Sequence, residues 1–427
     1  MVGSMGAEAS ASIGLMETTM WLLGSICSAT AAGFYVQVSH QLGSNDPARA
    51  RSTLRQGIMS VLVVSALLGL VSLAVSPFLP TWLGGNSHIT PTASAYFAIV
   101  ATALPIFQFS IFGAGMLRSS GNMVVPSVMS VVMMSLDVVF NFFLIFPTRP
   151  VELFGTQIMM PGMGLGVVGA AIGTVSAELV AASITMYILC FRSKELSLRI
   201  DTGRFLPTWG VVKRALHISL PMGLQQTIMC SAYVMTTIII APLGTFAIAA
   251  NSFGVIIESL CYMPGYGIAD AATTLVGQSM GAGRHELMKR FAWLSVGLGV
   301  TVMAVMGVVM YVGAPTAMAM MTPAEEVRRL GVEVLRIEAF AEPMFAAAIV
   351  SYGVFVGAAK TLVPSIMNLI SIWGVRISLA AMLAPSMGLR GVWIAMCIEL
   401  CFRGFIFLLK LKFWNIQTPC KHYGKNQ

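Results

Sequence analysis

Eleven stretches of about 20 apolar residues each follow one another through this chain of 427 residues, and each is long enough to cross a hydrocarbon core of roughly 30 Å as a helix. Their approximate bounds are Glu8 to Val38, Gly57 to Phe78, Ala93 to Leu117, Met123 to Phe146, Gly164 to Phe191, His217 to Ala241, Phe246 to Val276, Phe291 to Val312, Gly331 to Val356, Leu362 to Leu383 and Gly391 to Lys412. In lipid every backbone polar group must be satisfied internally, which leaves helices and closed barrels. The alternating pattern of a membrane barrel is absent, so the expected fold is an all-α integral membrane protein. Charged residues are 10% of the chain, against roughly 25% in soluble domains.

The chain also repeats itself at an offset of 238 residues. Gly6, Gly43, Pro77, Pro105, Gly115 and Pro126 recur as Gly244, Gly281, Pro315, Pro343, Gly353 and Pro364. Glycines and prolines set bends and close approaches rather than chemistry, so the repeat reports scaffold. The span His217 to Ala241 maps to positions −21 to 3, so its partner is expected before Met1, from a late gene start or a truncation. Twelve spans, six per half, are expected, of which eleven are visible. An even number per half makes the halves parallel, related by an axis along the membrane normal. The organisation expected is an N-terminal lobe over 1–191, a linker over 192–215, a C-terminal lobe over 216–412 and a tail over 413–427.

If the spans alternate, 19 of the 25 basic residues fall on one side, among them Arg49, Arg51, Arg55, Arg192, Arg214, Arg284, Lys289, Arg290 and Lys410. The other side receives Arg149, Arg328, Arg329, Arg336 and Arg390, and Arg376 lies inside a span. The positive-inside rule puts the first group and the C-terminus in the cytoplasm of a multi-pass cell (inner) membrane protein. The net charge of +8 is thus an orientation signal. No solvated basic face with aromatic support exists, so nucleic acid is not an expected partner.

Conventional catalytic motifs fail. Gly164-Leu165-Gly166-Val167-Val168-Gly169 fits a dinucleotide fingerprint, but no strand is expected before it and an apolar span follows. The seven cysteines form neither a CxxC nor a zinc pattern, and the histidines are unclustered; no metal or cofactor is expected. What remains is a set of polar groups inside spans, where each charge costs about 2.5 to 3.5 kcal/mol on insertion scales. Asp137 and Asn141 share a helix face, being four residues apart. Glu258 lies near the midplane before Pro264, Glu338 and Glu342 share a face beside Pro343, and Gln225 and Gln226 follow Pro221. Asp137, Asn141, Glu258, Gln225, Gln226 and Glu342 are the candidate ion- or substrate-binding residues. By the repeat they map to Val375, Leu379 and Met20 for Asp137, Asn141 and Glu258, and to Leu104 for Glu342, so the shared scaffold does not require them. The competing reading for each carboxylate is a structural one, paired with a hydroxyl, a carbonyl or Arg376. Glu399 and Arg403, at i and i+4, read as a local ion pair. The 31 methionines suit a cavity that accepts several apolar shapes, although lipid-facing filler explains most of them.

The stretch Val2 to Gly6, the loop Ser39 to Pro47, Ala241-Pro242-Leu243-Gly244 followed by Ala249-Ala250, and Met263-Pro264-Gly265-Tyr266-Gly267 leading to Val276 through Gly283 together resemble the multidrug and toxic compound extrusion (MATE) family. The resemblance runs through nearly the whole chain. It implies two six-helix lobes, a central cavity facing alternately in and out, and export of organic cations or amphipathic compounds driven by inward H⁺ or Na⁺. Departures accompany it. Where some members carry a glutamate on the first helix of the second lobe, this chain has Met229; an acid on the tenth helix falls near Phe345, one turn from Glu342. A first-helix aspartate is absent, and an Asn…Asp pair on the fifth helix reads here as Asp137…Asn141.

The function expected is secondary active efflux of a small organic substrate by cation antiport, in a monomer embedded in the bilayer. Neutralisation of Asp137 by H⁺ or Na⁺ would bias one facing of the cavity against the other. A lipid-linked saccharide flippase would need a cationic cavity that Arg376 alone does not supply, and an integral-membrane enzyme would need a catalytic cluster at a membrane face. A non-functional truncated fragment is the remaining alternative.

Overall fold

The apolar runs become helices whose breaks fall at prolines and glycines. The computed structural model describes residues 7–85, 88–153 and 156–414; Val2 to Gly6 and residues 415–427 of the expected tail lie outside them. The helices are α1 (Ala7–Gly43), α2 (Pro47–Val75), α3 (Leu79–Trp82), α4 (Thr90–Thr102), α5 (Leu104–Ser119), α6 (Val124–Ile145), α7 (Gly166–Tyr187), α8 (Trp209–Ile240), α9 (Thr245–Gly281), α10 (His285–Met321), α11 (Glu325–Glu338), α12 (Glu342–Gly357), α13 (Leu362–Leu369), α14 (Ser378–Met387) and α15 (Leu389–Lys412). Among the described residues nine helices are long and apolar enough to span a membrane, or eleven spans if each of two bent pairs counts as one. The chain divides into two compact units, Met1–Gly223 and Leu224–Gln427.

The 238-residue offset is visible in the element bounds: α1 and α9, and α5 and α12, start and stop at equivalent positions. Each bent pair breaks before a proline. Pro105 at the start of α5 and Pro343 at the start of α12 cannot donate to the carbonyls four residues back, at Ala101 and Ala339, and the helix axes turn by 48° and 58° respectively. The freed carbonyl is met in each unit by a glycine. A Cβ added at Gly69 would stand 2.8 Å from the Ala101 oxygen, and one at Gly307 would stand 2.8 Å from the Ala339 oxygen.

The turn from α1 to α2 rests on Asn45 (φ 60°) and that from α9 to α10 on Gly283 (φ 68°); Gly43 and Gly281 end their helices. Asn tolerates the left-handed region better than most residues. Asp46 then caps α2, accepting from the Arg49 amide at 3.0 Å with Pro47 in the first turn.

In the first unit the polar stretch before α8 docks onto α1 and α2. Arg51 and Arg55, one turn apart and both buried, converge on Asp201: Arg51 Nε donates to Oδ2 at 2.8 Å and Arg55 Nη2 to Oδ1 at 2.5 Å. Arg55 also donates to the Asp201 carbonyl, and Arg51 to that of Glu195 at 3.0 Å. Gln56 accepts from the Thr208 amide and hydroxyl, each at 2.9 Å, and Gln37 donates to the Val211 carbonyl.

Two features depart from the sequence expectation. Residues placed in a loop form an antiparallel hairpin, β1 (Pro147–Leu153) and β2 (Thr156–Met163), so a strand does precede Gly164. The dinucleotide reading fails for another reason. The strand belongs to an isolated two-stranded hairpin, and Gly169 lies against the Leu144 carbonyl, so the glycines serve helix packing. The second feature is a π-helical segment over Ile370–Ile377. In the second unit Gly391 meets the Leu383 carbonyl as Gly169 meets that of Leu144. Leu144 is 20 residues past Val124, whereas Leu383 is 21 past Leu362. One extra residue has entered the helix and is absorbed as the π segment. Counted back from the glycine contact, Asp137 aligns with Arg376 near the end of that segment rather than with Val375, and Asn141 with Ala380 beyond it rather than with Leu379.

Candidate functional site: acids within the spans of each unit

In the first unit, α6 places Asp137 and Asn141 on one face. The Oδ1 atoms of both are buried and, among the described residues, lack a hydrogen-bond partner. Asn141 packs on Gly173 of α7, where no Cβ could fit beside its Oδ1. Glu178, one and a half turns further along α7, is 7% exposed and hydrogen-bonds Ser110 of α5. Asp137 lies within electrostatic reach of Glu178 and of Tyr96, and Tyr96 in turn of Glu17 on α1. Asp137 and Glu178, from two helices, therefore feel each other, and Tyr96 feels both Asp137 and the exposed Glu17. Glu178 escaped the sequence reading, although its position within an apolar span is the signal that singled out Asp137.

The second unit holds a larger cluster with a clear division of roles. Glu399 on α15 is fully buried and saturated. Arg403 grips it with two bonds of 2.7 Å, the Ser371 hydroxyl donates at 2.5 Å, and Arg376 stands 3.8 Å away. The local pair read from the i, i+4 spacing is thus present, but Arg403 is buried rather than at a wet helix end. The second guanidinium comes from the π segment.

Glu338 and Glu342 are different. They flank the α11–α12 break, both are fully buried, and among the described residues none of their four carboxylate oxygens has a hydrogen-bond donor. Glu258 on α9, 6% exposed, interacts electrostatically with both, and Arg376 and Arg403 act on Glu258 in turn. Four carboxylates thus share two guanidiniums, and both guanidiniums are committed to Glu399. An ionised carboxylate left unpaired in such surroundings is strongly unfavourable. The arrangement is suited to hold protons at Glu338, Glu342 and Glu258; among the described residues no three such side chains converge as a metal site.

The structure brings Glu258 and Glu342 together, and separately Asp137 and Asn141. Gln225 on α8 is buried, its Oε1 has no hydrogen-bond partner among the described residues, and its amide lies 3.6 Å from the Met229 sulfur; Gln226 is engaged in an interaction of its own.

Repeated apolar spans, two units with a common helix order, and acids buried within the spans define an integral membrane transporter. Comparison with known proteins gives the family. The family model described as MatE matches residues 1–143 and 221–382, more than half of the chain, and the protein belongs to that family of efflux transporters rather than to any class of enzyme. Among curated relatives, the probable multidrug resistance protein NorM of Thermotoga maritima is 24% identical over 413 residues, covering 96% of this chain and 85% of that one. The protein of the same name from Chromobacterium violaceum is 26% identical over 414 residues, covering 95% and 86%. Among solved structures, the crystal structure of MATE in complex with MaL6 superposes with a TM-score of 0.87 at 19% identity, covering 96% of this chain and 89% of that chain. A MOP superfamily transporter from Pyrococcus furiosus, described as having a binding pocket of reverse polarity, superposes with a TM-score of 0.86 at 19% identity, again covering 96% and 89%.

Proposed function

We propose that this transporter exports amphipathic or cationic organic compounds by antiport with an inward-moving cation, H⁺ or Na⁺, through alternating access of its two lobes. The observation that carries the reading is the Glu338–Glu342 pair: four buried carboxylate oxygens without a donor at the break of a spanning helix. Such a pair accepts positive charge when reached from one side and releases it when reached from the other. Because the pair sits at the α11–α12 bend, its charge state biases that bend, and ligands shift populations only through such differential interactions. Asp137, with Asn141 and Glu178, is the corresponding acid of the first unit. Each charge moving inward gains about 2.3 kcal/mol per 100 mV, ample for a useful substrate ratio. The lobes run over 1–191 and 216–412 with the linker between them, the basic loops and the C-terminus face the cytoplasm of the cell (inner) membrane, and the monomer is the working unit.

The flippase alternative draws no support from the buried arginines, since Arg376 and Arg403 both serve Glu399. The test is efflux of a fluorescent organic cation from vesicles, with pH and sodium gradients imposed separately. One gradient drives the wild type; Asp137→Asn and Glu342→Gln insert normally and lose driven export. Transport indifferent to both gradients, or both variants driven at the wild-type rate, would overturn the reading.

A further inference from the structure

The second unit carries a groove of about 330 Å³ lined by Tyr311, Arg336, Phe340, Ile394, Cys397 and Ile398 among its residues, within the roughly 300 to 1,000 Å³ typical of small-molecule sites. Its lining holds none of the buried acids, although Cys397 in its wall lies within electrostatic reach of Glu338, and it forms no part of the antiport argument. We propose that it holds one anionic phospholipid of the leaflet opposite the basic loops, the phosphate on Arg336 and an acyl chain along the apolar wall.

Depth supports this occupant. Tyr311 is 21 residues past Arg290, the last basic residue of α10, about 32 Å at 1.5 Å per residue, which is the thickness of the hydrocarbon core. Tyr311 therefore sits at the far interface, where tyrosines concentrate. The Arg336 guanidinium is held at the same level, 5.2 Å from the centre of the Tyr311 ring and donating to the Tyr311 carbonyl at 3.4 Å. Ile394 and Ile398 lie about 8 to 14 Å further in along α15, which starts on the same face at Leu389. The groove thus descends from headgroup depth to acyl depth, as a lipid does.

Charge supports the headgroup. The lining holds no carboxylate, so a phosphate meets a guanidinium and an ammonium headgroup meets nothing. A second groove nearby is lined by Arg390, but that arginine is paired with Glu333 at 2.6 Å and is not available in the same way. Tyr311 and Arg336 also present a rigid, aromatic-backed cation, a geometry suited to an oxyanion.

Native mass spectrometry of the purified full chain decides the matter, with dioleoyl phosphatidylglycerol, dioleoyl phosphatidylcholine and inorganic phosphate as probes. The wild type should retain one phosphatidylglycerol in preference to phosphatidylcholine. Arg336→Gln should weaken retention of the anionic lipid roughly fivefold and erase the preference, while Arg390→Gln leaves both unchanged. Ile398→Trp, which fills the acyl half, should lower retention of both lipids and tests the site even if Arg336→Gln fails to fold. Equal binding of the two lipids by the wild type, an Arg336→Gln protein that keeps the preference, or competition by inorganic phosphate alone would overturn the proposal.

Discussion

Replacing Arg403 by methionine should destabilise the protein by about 3 kcal/mol, and the reason lies in what remains behind. Glu399 is fully buried and takes two bonds of 2.7 Å from Arg403. Hydrogen bonds to charged groups are worth about 1.5 to 3 kcal/mol each, so their sum brackets the roughly 3 to 5 kcal/mol lost when one member of a buried pair is removed. Arg376 at 3.8 Å and Ser371 at 2.5 Å still attend the carboxylate, which places the expectation at the lower end. Removing both charges, as Glu399→Met with Arg403→Met, takes away the stranded ion and should restore at least about 2 kcal/mol of the loss. Reversible denaturant unfolding in micelles, followed by tryptophan fluorescence and read as a double-mutant cycle, measures both quantities. A single variant that loses less than about 1 kcal/mol, or a double variant no more stable than Arg403→Met, would refute the assignment of Glu399 as the fixed, saturated member of the cluster.

Gly307→Ala should cost about 1 to 3 kcal/mol, because the new methyl would press on the Ala339 backbone oxygen at 2.8 Å and overpacking against backbone is poorly relieved. Gly313→Ala on the same helix, where a Cβ meets nothing within 4 Å, should gain up to about 1 kcal/mol from helix propensity; equal effects in thermal unfolding would contradict the packing argument. The docked segment before α8 should hold its place across the physiological range. The Arg55 hydrogen bond, then that of Arg51, keeps the Asp201 carboxyl below the usual carboxylate range. A depressed acid contributes stability above its unfolded pKa, about 3.9, and loses it only as pH falls through the lower folded value. Hydrogen-exchange protection factors of residues 195–208, corrected for the intrinsic pH dependence of exchange, should therefore be flat from pH 8 to 5 in the wild type and lower throughout in Asp201→Asn; a loss of protection between pH 8 and 6 would count against this latch.

The eleven spans were legible because hydrophobic length is a direct consequence of bilayer thickness, and each predicted span has its helix. The bends at Pro105 and Pro343 were legible as prolines but not as angles, since the turn depends on Gly69 and Gly307 contacting carbonyls more than 30 residues away in sequence. The hairpin over 147–163 has no pattern strong enough to announce it. Asp137, Glu258 and Glu342 stood out because charge in an apolar run is rare. That Glu258 joins Glu338 and Glu342 and that Ser371 and Arg376 also attend Glu399 are tertiary facts: they follow from elements distant in sequence, α9 and the π segment among them, meeting α11, α12 and α15. The mapping of Asp137 onto Val375 failed by one position because a constant offset assumes an uninterrupted α-helical count.

That single position bears on how the two halves came to differ. In an ordinary α-helix an inserted residue turns everything beyond it by about 100°, sending inward groups toward lipid. The widened turn over Ile370–Ile377 takes up the surplus locally, so the helix keeps its packing phase while a guanidinium, and not the acid of the sister copy, arrives beside Glu399. Descendants of one ancestral bundle could thus acquire opposite electrostatic signs at matching sites without redesigning the surrounding contacts. Excising one residue from that turn would be expected to swing Arg376 away from its carboxylate.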